Sequence, residues 1–462
     1  LILFAFQNNM PNQVLAHARE HRAEYLNDLL EYLAIPSISA QPDHARDVKM
    51  AALWLAEHMR DVGINADVMD TKGHPVVYGE WKSQHPQALT VLIYGHYDVQ
   101  PVDPFELWTS DPFKPEIRDG FIYARGADDN KGQHLAHIKA VESYLKCEGT
   151  LPVNVKFLIE GEEEIGSMNL GEFIASHKDL LACDCAMVSD GSLFGPGQPS
   201  MTYGLRGLLD LEIHVRALDR DVHSGHYGGN VQNPAFALAQ LLSTVKDEHG
   251  HVLIEGFYDD VRPLSETERE EIARVPWGEA DIRRETGAFM ALGDPDFTPN
   301  ERKGARPTFE INGMWSGYTG AGSKTIIPAT AHAKITCRLV PHQDPKKVGE
   351  AVKAHLLKHA PAGVSVNIEV RRGSPASLVD RESSQVQAAV KAAKETYGNA
   401  PYFELEGGSI PVVHDFITQL QKPVVLLGFG LPDDAIHSPN ERYAVECYEK
   451  GIEASIRFLS EL

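Results

Sequence analysis

Positive charge is scarce in this chain of 462 residues: 43 Lys and Arg stand against 65 Asp and Glu, a formal charge of −22. A surface of that sign repels phosphate backbones, so no nucleic-acid partner is expected. Cysteine is scarcer still. The five residues, Cys147, Cys183, Cys185, Cys337 and Cys447, are odd in number and lack the spacing of a small disulfide framework. They fit a reducing cytoplasm rather than secretion, with the Cys183-Asp184-Cys185 pair read as structural. No apolar run approaches the roughly 18 to 20 residues of a membrane helix, so no membrane partner is expected. The apolar opening at 1–6 is short, has no basic flank and runs into Gln7, Asn8 and Asn9, and it is not expected to act as a signal peptide. Internal repeats, a Gly-x-Ser-x-Gly nucleophile elbow and a Walker-type phosphate loop are all missing.

What remains is an ordinary globular composition, 43% apolar and 23% charged, in a chain too long for one core. Helical spacing of apolar residues covers 14–34 and, after the loop Pro36-Ser37-Ile38-Ser39, 46–62. Buried-strand runs follow at 89–94, 153–160, 186–189 and, far downstream, 424–428, with helical stretches between several of them. Strands alternating with helices predict an α/β fold with a mostly parallel sheet. Between 186 and 424 the pattern changes: 208–215, 332–339 and 364–370 alternate as half-exposed strands, and 234–247 and 344–359 read as amphipathic helices. The expected organisation is a first domain in two parts, 1–206 and 381–462, with an α+β domain inserted at 207–380. The stretch 257–307 is read as a surface excursion of that insert.

Chemistry-bearing residues gather at the carboxyl ends of the first domain's strands, where open α/β sheets hold ligands. Gly95-His96-Tyr97-Asp98 ends one strand, and alone it reads as a hydrogen-bonded pair. Arg125-Gly126-Ala127-Asp128-Asp129-Asn130-Lys131-Gly132 places two acids before a helix, where an N-cap is the plain account. Glu160-Gly161-Glu162-Glu163-Glu164 ends another strand, where like charges are costly unless a cation neutralises them. Asp190 closes a third, and His437 lies beyond the fourth in Asp434-Ala435-Ile436-His437-Ser438-Pro439-Asn440-Glu441. Five such sites on one sheet edge point to a dinuclear hydrolytic centre, since Zn2+ takes imidazole nitrogen and carboxylate oxygen and one carboxylate bridges two ions. Two other patterns are set aside. His17-Ala18-Arg19-Glu20-His21 fits an inverted zinc-protease motif but is read as a solvated helix face. Gly428-Phe429-Gly430 lacks the third glycine of a dinucleotide loop.

In these motifs, in this order, the sequence resembles the co-catalytic zinc peptidase family of carnosinases, aminoacylases, carboxypeptidase G and succinyl-diaminopimelate desuccinylase. It is most similar to the cytosolic dipeptidase branch. The resemblance implies two divalent ions per chain, Zn2+ first with Mn2+ or Co2+ as alternatives: one on His96 and Asp190, the other on Glu164 and His437, with Asp129 between them. Asp129 is chosen over Asp128 because it stands two residues before Lys131. Asn130 stands where the family usually has a second acid, and the family's cis bond would fall at Asp129-Asn130. Asp98 would orient His96, and Glu163 would be the general base. In the insert, Asp221-Val222-His223-Ser224-Gly225 resembles a lid whose histidine, His223, completes a neighbouring subunit's site, which implies a homodimer through a lid and dimerisation domain. Arg338, in Cys337-Arg338-Leu339-Val340-Pro341, would bind a substrate carboxylate. Gly407, Gly408 and Ser409, in Glu406-Gly407-Gly408-Ser409-Ile410-Pro411, would hold the substrate backbone. The implied activity is hydrolysis of dipeptides or short peptides. Acyl-amino-acid deacylation and carboxypeptidase action are the alternatives, and a silent scaffold is disfavoured because the base and every ligand position are filled.

Overall fold

In the strand Thr90–His96 every residue after the first is buried, as a strand covered on both faces requires, whereas Gly207–Arg216 alternates over much of its length. The two patterns belong to two compact units. One comprises the chain as far as Tyr203 with Val379–Phe403 and Pro411–Leu462; the other comprises Gly204–Leu378 and Glu404–Ile410. The computed structural model describes residues 10–462, and the apolar opening read at 1–6 lies outside them. Against the insertion expected at 207–380, the second unit starts at Gly204 and ends at Leu378. It also takes Glu404–Ile410, a segment expected in the other domain.

In chain order the first unit contributes α1 (Met10–Glu20), α2 (Arg22–Leu33), α3 (Ala45–Asp61), β1 (Asn65–Met69), β2 (Val76–Trp81) and β3 (Thr90–His96). There follow α4 (Gln133–Glu148), β4 (Asn154–Glu160), β5 (Cys185–Val188) and β6 (Ser200–Leu205). The second unit contributes β7 (Gly207–Arg216), α5 (Pro234–Leu242), β8 (Thr308–Ser316), β9 (Thr330–Leu339), α6 (Pro345–Lys358) and β10 (Ser365–Ser374). The first closes with α7 (Ser384–Tyr397), β11 (Val424–Leu426) and α8 (Val445–Glu461).

The sheet of the first unit runs β1-β2-β4-β3-β5-β11-β6. Its middle four strands are parallel, and β1, β2 and β6 are antiparallel at the margins. Strands β5 and β11, on either side of the insertion in sequence, are direct neighbours, with Ala186 opposite Val424. All four parallel strands therefore end on one edge. Helix α4 is buried from Gln133 to Tyr144 and packs against β3, α1 and α8. The single helix expected at 14–34 is broken at His21, and α1 buries Val14, Leu15 and Ala18 instead of lying free.

The sheet of the second unit is antiparallel, in the order β8-β9-β7-β10. Helices α5 and α6 cover one face, burying Leu209, Leu211, Ile213, Leu238, Val352 and Ile335. The excursion at 257–307 carries three short helices, Glu266–Ile272, Glu279–Thr286 and Pro299–Ala305. All five cysteines are free thiols, and Cys183 and Cys185 are buried. Among the described residues no helix is long and apolar enough to cross a membrane.

Candidate metal centre

His96 is the last residue of β3 and lies opposite Glu160, the last of β4. Asp190 follows β5 by two residues, and His437 sits in the loop beyond β11. Together with Asp129, in the turn that leads into α4, they form two groups that share one member: His96, Asp129 and Asp190, and Asp129, Glu164 and His437. The carboxylate of Asp129 faces both ways. Its Oδ1 lies 3.1 Å from His96 Nε2, and its Oδ2 lies 2.9 Å from His437 Nε2. Asp190 Oδ1 is 3.9 Å from His96 Nε2, and Glu164 Oε2 is 3.2 Å from His437 Nε2. Asp128 joins neither group; it turns inward, where Gln133 Nε2 donates to it at 2.9 Å.

Three consecutive glutamates are separated by their partners. Glu162 is buried and accepts from the His74 amide and from Asn169 Nδ2. Glu164 accepts from Gln100 Nε2 at 2.7 Å as well as meeting His437. Burial pushes the Glu163 carboxyl well above the usual carboxylate range; among the charged groups around it, His96 opposes this while Asp190, Asp129 and Glu164 push the same way. Asp98, expected to orient His96 through its carboxylate, lies nearer through its main chain. Its carbonyl is 3.1 Å from His96 Nδ1 and its carboxylate 3.5 Å. The carboxylate instead accepts the backbone N–H groups of Glu163 and Glu164, at 3.2 and 3.1 Å. The Asp129–Asn130 peptide is cis, as expected.

Burial opposes charge across this cluster, and the imidazoles answer it. Burial pushes the His96 ring down, yet the carboxylates of Asp129, Asp190 and Asp98 outweigh it and hold the ring well above its ordinary value. Asp129 and Glu164 push His437 up to about 10. Burial, with Asp129 beside it, pushes Glu164 up to about 7. Asp129 is held low in spite of burial, by His437 and His96. Four carboxylates against two imidazoles are an arrangement that calls for cations. His96 Nε2 is buried, lacks a well-aligned hydrogen bond and belongs to the first group, so the nitrogen and oxygen donors present fit a pair of divalent ions.

A third group, Asp28, His58 and Glu142, has a different occupant. The ammonium of Lys139 donates to Asp28, to His58 Nε2 at 2.8 Å and to Glu142 at 2.7 Å, so a built-in cation already fills it.

The profile of Peptidase family M20/M25/M40 matches residues 92–461, from β3 through the last turns of α8. The chain belongs to this family. The Cys-Gly metallodipeptidase dug1 of Schizosaccharomyces pombe is 33% identical over 456 residues, 95% of each chain. The Beta-Ala-His dipeptidase of Homo sapiens is 32% identical over 460 residues, 96% of this chain and 90% of that one. Among solved structures, an M20 family metallo-carboxypeptidase, Sso-CP2 from Sulfolobus solfataricus, superposes with a TM-score of 0.85 at 38% identity. That match covers 95% of this chain and 98% of the other.

The remaining residues read from sequence lie in the second unit of this M20 chain. His223 is exposed, accepts from the Gly225 amide at 3.0 Å and stacks on His226. Arg338 Nη1 donates to Ser409 Oγ at 3.0 Å. The amides of Gly407 and Gly408 are turned to the Glu406 carboxylate, at 2.6 and 3.3 Å. The sequence reading gave no role to Glu441, which is fully buried and collects four donors. Arg125 Nη1 and the Gly126 amide reach one oxygen at 2.6 and 2.9 Å, and the amides of Asp128 and Asp129 reach the other, each at 3.1 Å. The turn it holds needs Gly126, whose φ of 82° is left-handed and where a Cβ would meet Val99 Cγ1 at 2.5 Å. Asn130, where the family usually has a second acid, is tied to the end of β5. Its amide donates to Ser189 O at 2.7 Å and to Asp190 Oδ1 at 3.2 Å, which an ionised aspartate could not do.

Proposed function

We propose that this M20 chain is a dinuclear metallodipeptidase, a hydrolase that cleaves the amide bond of dipeptides and short peptides. The observation that carries the reading is Asp129 standing in both donor groups with one carboxylate oxygen toward each imidazole. In this reading His96 and Asp190 would hold one ion and Glu164 and His437 the other, with Asp129 available to both. Zn2+ is the first candidate, with Mn2+ or Co2+ suited to the same donors. The ions would supply Lewis acidity toward the scissile carbonyl and the attacking water. The work of the chain itself is proton transfer and positioning. Glu163, kept protonatable by burial, takes the proton from the attacking water and returns it to the leaving amine. Asp98 fixes the backbone of Glu163 and Glu164. Arg338 takes the terminal carboxylate of the peptide, Gly407, Gly408 and Ser409 hold its backbone, and His223 of one subunit donates to the developing oxyanion in another.

The assembly implied is a homodimer through the inserted domain, with the second unit acting as the lid, and the location is the cytoplasm, in keeping with five free thiols. Carboxypeptidase action on longer peptides is the second reading, favoured by the 38% identity to the Sulfolobus metallo-carboxypeptidase. Metal analysis together with a panel of dipeptides, longer peptides and acyl amino acids tests both. Active protein without metal refutes the dinuclear reading, and a preference for acyl amino acids refutes the dipeptidase.

A further inference from the structure

Two arginines of the second unit meet at one serine. Arg206 lies between β6 and β7, and Arg338 stands on β9, whose register pairs it with Leu208 of β7. Neither forms an ion pair among the described residues, in a chain whose net charge is −22 and whose acids outnumber its bases. The nearest acid of the loop, Glu406, is engaged elsewhere: Lys303 pairs with it at 3.0 Å and the Gly407 and Gly408 amides bind its other oxygen. Arg206 is only 8% exposed, and its Nε is buried without a hydrogen-bond partner. One of its other nitrogens, Nη2, donates to the Arg302 carbonyl, while Nη1 makes no bond. Ser409 ties the two arginines together, accepting from Arg338 Nη1 at 3.0 Å and donating to the Arg206 carbonyl. The Arg206 amide in turn donates to Gly408 O at 3.0 Å. Burial, and then the Arg338 charge, lower Arg206 to about 10 against the opposing pull of Glu406 and Glu310, so the two cations repel one another and the nearby acids do not fully offset it.

We propose that Arg206 and Arg338, joined by Ser409, form one anion site with two charges to satisfy, suited to a peptide whose last residue bears a carboxylate side chain beside its terminal carboxylate. A single carboxylate leaves one guanidinium uncompensated in a partly desolvated place, and a pair of carboxylates neutralises both. This rests on the dipeptidase reading and makes its substrate class specific: dipeptides ending in Asp or Glu.

Hydrolysis of Gly-Glu and Gly-Ala by the metal-loaded full chain, with calorimetric binding of succinate and acetate, tests it. The expected result is a preference for Gly-Glu, carried by KM, that falls about tenfold in Arg206→Gln and recovers in part in Arg206→Lys, whereas Arg338→Gln weakens both substrates. A folded Arg206→Gln with an unchanged Gly-Glu to Gly-Ala ratio overturns the proposal. Should that variant not fold, the unmodified chain decides: succinate must bind about tenfold tighter than acetate, and equal binding overturns it. Succinate binding that survives Arg338→Gln unchanged belongs to the metal centre and likewise overturns it. If neither dipeptide is cleaved, the dipeptidase reading falls, while the succinate comparison still reports on the arginine pair.

Discussion

Glu162, Glu163 and Glu164 are held by three different sets of donors, and that difference sets what each substitution should do. Glu163→Gln should keep the metal content and the fold while lowering kcat by at least about 10²-fold, the scale for loss of a general base. Glu164→Gln should lower the metal content itself. Elemental analysis beside steady-state rates separates them, and exchanged phenotypes would mean that the two proposed roles are reversed. Glu441→Ala should leave the Arg125 guanidinium buried and unpaired, destabilising the metal-free chain by about 3–5 kcal/mol in urea denaturation. An unchanged midpoint would show that the four donors find acceptors elsewhere. The acids at strand ends were legible because buried apolar runs end in them. Glu441 was not, since its partners lie over 300 positions away and nothing local marks a carboxylate that binds amides. The like-charged run could not show from sequence that Glu162 turns toward His74 and Asn169.

At the scale of elements, Lys139 on α4 joins Asp28 of α2 and His58 of α3. Burial, and then the Lys139 charge, lower His58 to about 4, so it stays neutral and accepts from the ammonium. Burial lowers His137 on the same helix to about 3. Because both fall below the ordinary histidine value, the unfolded chain binds more protons between pH 6.5 and about 4. The contribution of these two rings to stability should therefore drop as the pH falls through that window, while Glu164, pushed up to about 7, acts in the opposite sense. Thermal melting of the metal-free chain at pH 7, 6 and 5 measures it. His58→Gln retains an acceptor without titrating, so its melting temperature should rise relative to that of the unmodified chain as the pH falls from 7 to 5; a difference that does not change with pH would refute it. Period and length made most helices and the parallel strands readable. Strand β8 was not, because its exposed residues break the alternation and its register slips between Ile311 and Gly313. The break at His21 has no signal in the sequence, since the apolar spacing continues across it into α2.

For the whole molecule, chelation should abolish activity and Zn2+ or Mn2+ should restore it; activity that persists without bound metal would end the dinuclear reading. The proposed sharing of His223 predicts that co-expressing Glu163→Gln with His223→Ala restores activity in the isolated mixed assembly, which then contains one site with both groups intact. A mixed assembly as inactive as its parents would assign His223 to its own subunit or to no catalytic role. The discontinuous architecture was legible because strand patterns of one kind enclose strands of another. The allegiance of Glu404–Ile410 was not, since seven residues carry no periodicity of their own. The placing of β11 between β5 and β6 has a consequence during synthesis. A nascent chain that has emerged as far as the end of the second unit still lacks the strand that fills the first sheet, as well as His437 and the carboxylate that holds the Asp129 turn. On the ribosome the donor groups are therefore incomplete until the chain has emerged past Glu441, so the residues that would hold metal come together only after the second unit has been made.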